Sequence, residues 1–345
     1  MDMVEAPASY QESPLWRVRL LMLNHMIPRC LYVAARLDVA THLADTAKTA
    51  DELARQTGVH GPTLHRVLRA LASVGVFRET TASRFEKTAL SDTLRSDVRG
   101  SLRPWVLLHG GDISWRCWGE FDHCVTTGAS AFEHLNGETI FDHHRRDREH
   151  AAVFDQAMSA ATQMASASIV SAYDFSGIDT LVDVGGGNGT MLCAVLESNP
   201  RLRGIVFDLP HVDAAAADYI ASRRLEDRCA FAGGSFFDSP PPSADAYFLQ
   251  RVLHDWDDEH SVKILRACAK AARSPARVLI SEAIIPAGND AAYAKLIDLH
   301  MLVMTHGGKE RTQEEYRELL SESGWTYTRV VPTTSPFSLV EGVKN

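Results

Sequence analysis

One short stretch concentrates groups able to move a proton: Leu253-His254-Asp255-Trp256-Asp257-Asp258-Glu259. An imidazole titrates near ~6.5 when unperturbed, so His254 suits a general base at neutral pH. Asp257, Asp258 and Glu259 have a plainer explanation, because acids are favoured in the first turn of a helix by its dipole. Three consecutive acids on one helical turn cannot converge on a single ion, which argues against a metal there. Two further carboxylates are candidates to stand beside the imidazole: Glu282, and Glu310 within Gly307-Gly308-Lys309-Glu310-Arg311-Thr312. A carboxylate in that position fixes the ring tautomer and stabilises the imidazolium. No G-x-S-x-G sequence is present, so a serine hydrolase has little support.

The elements that must position these groups form an α/β pattern. Thr180-Leu181-Val182-Asp183-Val184 has no solvent face and predicts a buried parallel strand, and Gly185-Gly186-Gly187-Asn188-Gly189 after it predicts a sharp turn into a helix. Such a turn exposes bare backbone N–H groups at a helix N-terminus, a seat for a ligand. The dinucleotide fingerprint would need its third glycine at Thr190, and here it falls one residue early. Arg203 to Asp208 predicts a second strand ending in an acid able to hold ribose hydroxyls. Further strands are expected over Arg228–Phe237, Ala244–Leu253 and Arg277–Ile284, with a helix through Val262, Leu265, Ala269 and Ala272. The result is a Rossmann-like, doubly wound sheet. Trp325–Val331 and Phe337–Glu341 add a terminal antiparallel hairpin.

Ahead of the sheet the pattern is helical. Met1–Ser13 reads as an arm, Leu15 to Met26 as a helix broken or bent at Pro28, and Arg29–Ala44 as a second helix. Thr49 and Glu52 form a capping box, a helix starting near Pro62 stops at Gly75, and Val76–Glu79 with Arg84–Lys87 predicts a hairpin. Helix, helix, hairpin is a winged-helix pattern. It raises DNA binding through His65, Arg66 and Arg69 as a rival function, although little basic sequence flanks them. Arg95–Tyr173 predicts a helical, aromatic-rich connector. Its Asp142-His143-His144-Arg145-Arg146-Asp147 run reads as a solvated charged face, since adjacent histidines point to different sides of a helix.

Composition narrows the class. The 345 residues, 45% hydrophobic and 23% charged, suit a two-domain globular protein. No apolar run approaches the ~20 residues of a membrane span. The net charge of −9 disfavours a nucleic-acid substrate. Six cysteines without a C-x-x-C pair suggest reduced thiols and a cytoplasmic location.

Taken in order, Leu181–Gly189, Phe207-Asp208-Leu209-Pro210, Gly234-Ser235-Phe236-Phe237, Leu253-His254-Asp255-Trp256 and Gly307–Thr312 resemble the S-adenosylmethionine-dependent O-methyltransferases of the caffeate and hydroxyindole type, including bacterial members that methylate aromatic natural products. The resemblance implies a winged-helix dimerisation domain over 1–100, a connector contributing to an acceptor pocket over 101–175 and a catalytic domain over 176–345, assembled as a homodimer. It implies metal-independent methyl transfer to an aromatic hydroxyl, with His254 as base flanked by Glu282 and Glu310. Cofactor contacts are implied for Asp183, Gly185, Gly187, Asp208, Leu209, Gly234, Ser235, Phe236, Arg251 and Trp256. Phe154, Met158, Asp255, Met301, Met304 and Thr305 are implied to face the acceptor. The sequence departs from the family at Ser235, often Asp; at Gln250, often Lys; and at Thr305, an amide residue in plant members. Other outcomes are N-methylation, a decarboxylase or hydroxylase that keeps the cofactor, and a DNA-binding regulator.

Overall fold

The computed structural model of the protein describes residues 13–344, so the expected N-terminal arm lies, apart from Ser13, outside the described residues. The chain divides into two compact units, one ending at Trp115 and the other starting at Arg116.

The first unit begins with α1 (Pro14–Leu23), which buries none of its residues. Leu15, Val18, Leu21 and Met22 are 64–71% exposed, an apolar surface that no side chain among the described residues covers. Pro28 does not break the helix as expected. It falls in the first turn of α2 (Met26–Arg36), where a missing N–H has no partner to lose, and the interruption comes earlier, at Asn24-His25. Nor does α2 run on to Ala44. Asp38 takes a left-handed conformation, φ 52°, its carboxylate accepting from the Thr41 and Ser96 hydroxyls, and the chain resumes as α3 (Val39–His42).

The capping box at Thr49 starts α4 (Ala50–Thr57), and α5 (Gly61–Ser73) carries Leu64, Leu68 and Leu71 on one buried face. The wing is three-stranded. A short β1 (Lys48–Thr49) joins β3 (Arg84–Lys87), which pairs in turn with β2 (Phe77–Glu79). Val39, Leu53, Leu68, Leu71 and Phe85, all fully buried, fill the core beneath. The unit also includes α6 (Ala89–Asp92) and α7 (Arg103–Gly110), while α8 (Asp112–Gly119) contains the division.

In the second unit α9 (Phe121–Thr127), α10 (Ala131–Asn136), α11 (Ile140–Arg146) and the long α12 (Arg148–Ala172) precede the sheet. The histidines of α11 are not a solvated face. His143 is buried against Phe132, His144 lies tilted against Phe154 at 4.5 Å, and both rings meet His150. The turn between α11 and α12 brings His150 back over α11, which folds side chains on different helical faces into one cluster.

The sheet has seven strands in the order β6-β5-β4-β7-β8-β10-β9. The strands β4 (Thr180–Val184), β5 (Arg203–Asp208), β6 (Cys229–Gly233), β7 (Ala246–Gln250) and β8 (Ala276–Glu282) are parallel. The hairpin of β9 (Thr326–Pro332) and β10 (Ser338–Lys344) closes the far edge, β10 antiparallel to β8. Side chains alternate between two cores as the strand period requires. Leu181, Phe248 and Leu279 pack toward α12 and α13 (Thr190–Ser198), whereas Val182, Tyr247, Leu249, Val278 and Ile280 pack toward α15 (Asp258–Ala271) and α17 (Gln313–Glu322). The remaining helices are α14 (Asp213–Ser222) and α16 (Tyr293–Met304). From β4 the chain winds outward to β6, then returns to place β7 on the other side of β4. That reversal opens a crevice at the carboxyl ends of β4 and β7, where doubly wound sheets bind ligands. Among the described residues no helix is long and apolar enough to cross a membrane.

Candidate active site

Beyond β4 the chain turns through Gly185 (φ 69°) and Gly187 (φ 56°), backbone conformations that L side chains rarely adopt. A Cβ at Gly185 would come within 2.8 Å of Val252 Cγ2, so the glycine turn and the segment after β7 touch only because that atom is absent. Asp208, at the end of β5, holds the turn from the side. Its Oδ2 accepts from Gly187 N at 2.8 Å and its Oδ1 from Leu209 N at 2.6 Å, leaving one lone-pair direction on each oxygen for hydroxyl donors. Burial raises its pKa despite those two amides. Asp183 lies beneath the turn, 2% exposed, and its carboxyl is pushed up to about 7, first by desolvation and then by Asp208.

Beyond β6, Gly234 packs against Phe207, again with no room for a Cβ, and Ser235 accepts from Phe237 N. Phe236 and Phe237 meet the Trp256 ring edge-on, at centroid distances of 6.3 and 4.7 Å. The three rings form an aromatic cluster after β6 and β7.

His254 is held by three segments. After β7, Arg251 (φ 53°) swings the chain out of extended conformation, which is why the strand ends at Gln250 and not at Leu253. Its guanidinium donates to Thr162 Oγ1 at 2.7 Å and Met158 O at 3.2 Å, both on α12. Leu253–Asp255 then forms a single 3₁₀ turn that carries His254. Glu282, fully buried at the end of β8, accepts Val252 N and Leu253 N on one oxygen, at 3.0 and 3.1 Å. Its other oxygen lies 3.6 Å from His254 Nδ1. Glu310 arrives on the segment after α16 and accepts from the same Nδ1 at 2.7 Å, while its own N–H donates to Asp298. Asp255 stands 3.7 Å from Nε2.

His254 is 9% exposed. Desolvation works against its charged form, but Glu282, Glu310 and Asp255 together outweigh it and raise the imidazolium pKa to about 10. Desolvation raises Glu282, and it lifts Asp255 to about 6. With Nδ1–H given to Glu310, the free nitrogen is Nε2, the one available to a reacting group. Chemically, the cluster accepts a proton and holds the resulting cation. His254, Glu282 and Glu310 are also close enough to hold a metal ion.

The acceptor-facing residues expected from sequence lie on two helices. Phe154 and Met158 are on α12; Met301 and Met304 are on α16, each 9% exposed, with Thr305 next to them and bonded back to Met301 O. Phe141 of α11 stacks on Trp256 at 5.7 Å, laying that helix over the His254 turn. Sequence reasoning passed over Thr162 and Asp298, and named Gly308 and Arg311 only as members of a motif, without a role. A Cβ at Gly308 would come within 2.6 Å of the His254 carbonyl oxygen, so the Gly307-Gly308 pair was a readable sign of close approach.

The cofactor expected from sequence fits this crevice. Among the described residues, Asp183 Oδ2 and Gln250 Nε2 are buried without partners at the carboxyl ends of β4 and β7, beside the turn at Gly187, where a Cβ would meet only open space.

Comparison with known proteins agrees with this geometry. Residues 118–326 match the family described as the O-methyltransferase domain, and residues 20–97 match the O-methyltransferase dimerisation domain. The phenazine O-methyltransferase PhzM of Lysobacter antibioticus is 42% identical over 95% of this chain and 96% of its own. The 8-amino-8-demethylriboflavin N,N-dimethyltransferase of Streptomyces davaonensis is 32% identical, with 90% of each chain covered. The O-methyltransferase NcsB1 from neocarzinostatin biosynthesis, solved with S-adenosylmethionine and 2-hydroxy-5-methyl naphthoic acid, superposes with a TM-score of 0.78 at 35% identity, covering 92% of this chain and 95% of that one. The chain therefore belongs to the S-adenosylmethionine-dependent O-methyltransferases, with the family's dimerisation domain at its N-terminal end.

Proposed function

We propose that this protein methylates a hydroxyl of a small aromatic natural product, with His254 as general base and without a metal, as a cytoplasmic homodimer. The observation that carries the reading is the His254 ring, oriented by Glu310 at 2.7 Å and carried on the segment whose Val252 touches the glycine turn. Gly185 and Gly187 would seat the methionine end of S-adenosylmethionine, Asp208 and Leu209 the ribose, and Gly234, Ser235, Phe236 and Trp256 the adenine, with Asp183 and Arg251 behind them. When bound, that cofactor supplies a methyl carbon made electrophilic by its sulfonium.

The chain's own work is then alignment and proton removal. Phe154, Met158, Met301, Met304 and Thr305 would hold a flat acceptor with its hydroxyl at Nε2 and keep water out, methionines adapting to its outline. Glu310 keeps Nδ1 protonated, and Glu282 and Asp255 stabilise the imidazolium that forms. A phenol titrates near ~10, so a base of matched strength takes its proton with little energetic penalty. No Lewis acid is needed for a carbon already activated. The exposed apolar side of α1, whose last residues enter the family's dimerisation domain at residue 20, supports the homodimer. Among the candidate DNA-reading residues, His65 is tied to Glu79 at 2.8 Å, which leaves the regulator reading little support.

Mass spectrometry of hydroxy- and amino-aromatic compounds incubated with methyl-labelled S-adenosylmethionine tests this reading. Label on oxygen is expected, with turnover unchanged by EDTA. Label confined to nitrogen would replace the acceptor class, and loss of turnover on chelation would restore the metal at His254, Glu282 and Glu310.

A further inference from the structure

We propose that Arg311 is a positioning residue for His254, acting through the backbone of the turn that carries the imidazole; the inference rests on reading His254 as the base. A single 3₁₀ turn holds its own shape poorly. Here its internal bonds are long, Asp255 N to Val252 O at 3.3 Å and Trp256 N to Leu253 O at 3.2 Å. Its geometry is imposed from outside. On the amide side Glu282 grips Val252 and Leu253. On the carbonyl side the grip is Arg311, whose side chain is fully buried.

The guanidinium spends its donors on the residues flanking the base. Nη1 donates to Leu253 O at 2.9 Å, and Nη2 to Trp256 O at 2.8 Å and Ser261 Oγ at 3.1 Å. Nε donates to Asp258 Oδ1 at 2.9 Å, on the first turn of α15. Leu253 and Trp256 bracket His254-Asp255, so the fork fixes both ends of the turn. Its chain neighbour Glu310 fixes the ring itself, and Gly308 lets the segment lie against the His254 carbonyl. One stretch, residues 308–311, thus sets both the path of the backbone and the orientation of the imidazole. A lysine ammonium cannot reproduce a planar fork bridging separated carbonyls.

The test compares Arg311→Lys, Asp258→Asn and the double variant, all in the full-length protein. Asp258 is more than half exposed, so its variant loosens the guanidinium without emptying a buried site. Calorimetry with S-adenosylmethionine should give affinities within about 2-fold of wild type, because the one cofactor-side residue the clamp meets, Trp256, is held through its backbone carbonyl and not through its ring. Turnover of 2-hydroxy-5-methyl naphthoic acid should fall ~10- to 100-fold for Arg311→Lys and several-fold for Asp258→Asn, a displaced base costing rate and not binding. The double variant should be no worse than Arg311→Lys, since both act through one clamp. With ¹⁵N-histidine labelling, the downfield Nδ1–H signal of His254 should be present in the wild type and lost or shifted in each variant, a readout that needs no acceptor.

Retention of that signal with wild-type turnover would overturn the proposal, as would cofactor affinity falling in step with turnover. Should Arg311→Lys fail to fold, Asp258→Asn alone decides by the same signal. The underlying reading fails separately, if His254→Gln keeps turnover. If His254→Gln is inactive and Arg311→Lys is fully active with its signal intact, only the positioning role is lost.

Discussion

A histidine surrounded by Glu282, Glu310 and Asp255 is a stronger base than one in water, and it is occupied by its proton at neutral pH. The two facts have opposite kinetic signs. Matched strength favours taking a phenol's proton, but the imidazolium that dominates below about 10 must first lose its own or meet the acceptor as a phenolate. Turnover per unit of acceptor should therefore rise from pH 7 toward pH 10, and His254→Gln, left with only the phenol's own ionisation near ~10, should be slower across that range; a flat wild-type profile would contradict the assignment. Asp208 makes a second demand. Both its oxygens already accept backbone N–H groups, so Asp208→Asn turns an NH₂ toward a donor. Cofactor affinity should fall at least ~10-fold, about 1.4 kcal/mol, by calorimetry. His254, Asp208 and the glycines were legible because each sits in a run whose type and spacing carry meaning. Arg311 and Asp298 were not, since a buried arginine that grips carbonyls and a surface arginine look alike in a sequence.

At the scale of elements, sequence located β5 at its observed ends but extended β6 and β7 too far along the chain. The reason is local: β7 stops where Arg251 adopts φ 53°, a conformation no propensity assigns to arginine. The same ambiguity hid Pro28, tolerated in a first turn, and His143, whose burial depends on a helix that folds back over it. The glycine turn makes the sharpest demand on a single element. Gly185→Ala would be strained at φ 69° and would push Val252, and with it the His254 turn. We expect a loss of ~1–3 kcal/mol in unfolding free energy together with weakened S-adenosylmethionine binding. An alanine variant with unchanged affinity and melting temperature would show that the turn is not the seat. The terminal hairpin carries a different load. Buried Glu341 accepts from Tyr173 and Arg329, and although burial opposes its charge, these partners hold its pKa below the ordinary glutamate value. Its contribution to stability is present above the unfolded pKa near ~4.5 and lost as pH falls through the lower folded value. Glu341→Gln should thus lower the melting temperature at pH 7 and make less difference in acid.

For the whole molecule, the order of strands β6-β5-β4-β7-β8-β10-β9 explains why residues far apart in sequence share one crevice: the reversal between β4 and β7 opens it. Alternating strands and helices made this architecture readable, because a parallel sheet needs crossovers of that kind. Oligomeric state was readable only through family, as exposed apolar residues on α1 do not name their own partner. Leu21, 71% exposed, tests it: Leu21→Glu should shift sedimentation from dimer toward monomer, and an unchanged dimer would move the interface elsewhere. The central claim is that one imidazole, not the seat itself, removes the proton. Its most direct test is His254→Gln, with S-adenosylmethionine affinity by calorimetry and label transfer to a phenolic acceptor measured on the same preparation. The expected result is affinity within about 2-fold of wild type and turnover reduced ~10²- to 10⁴-fold; full turnover, or loss of cofactor binding along with it, would contradict the account.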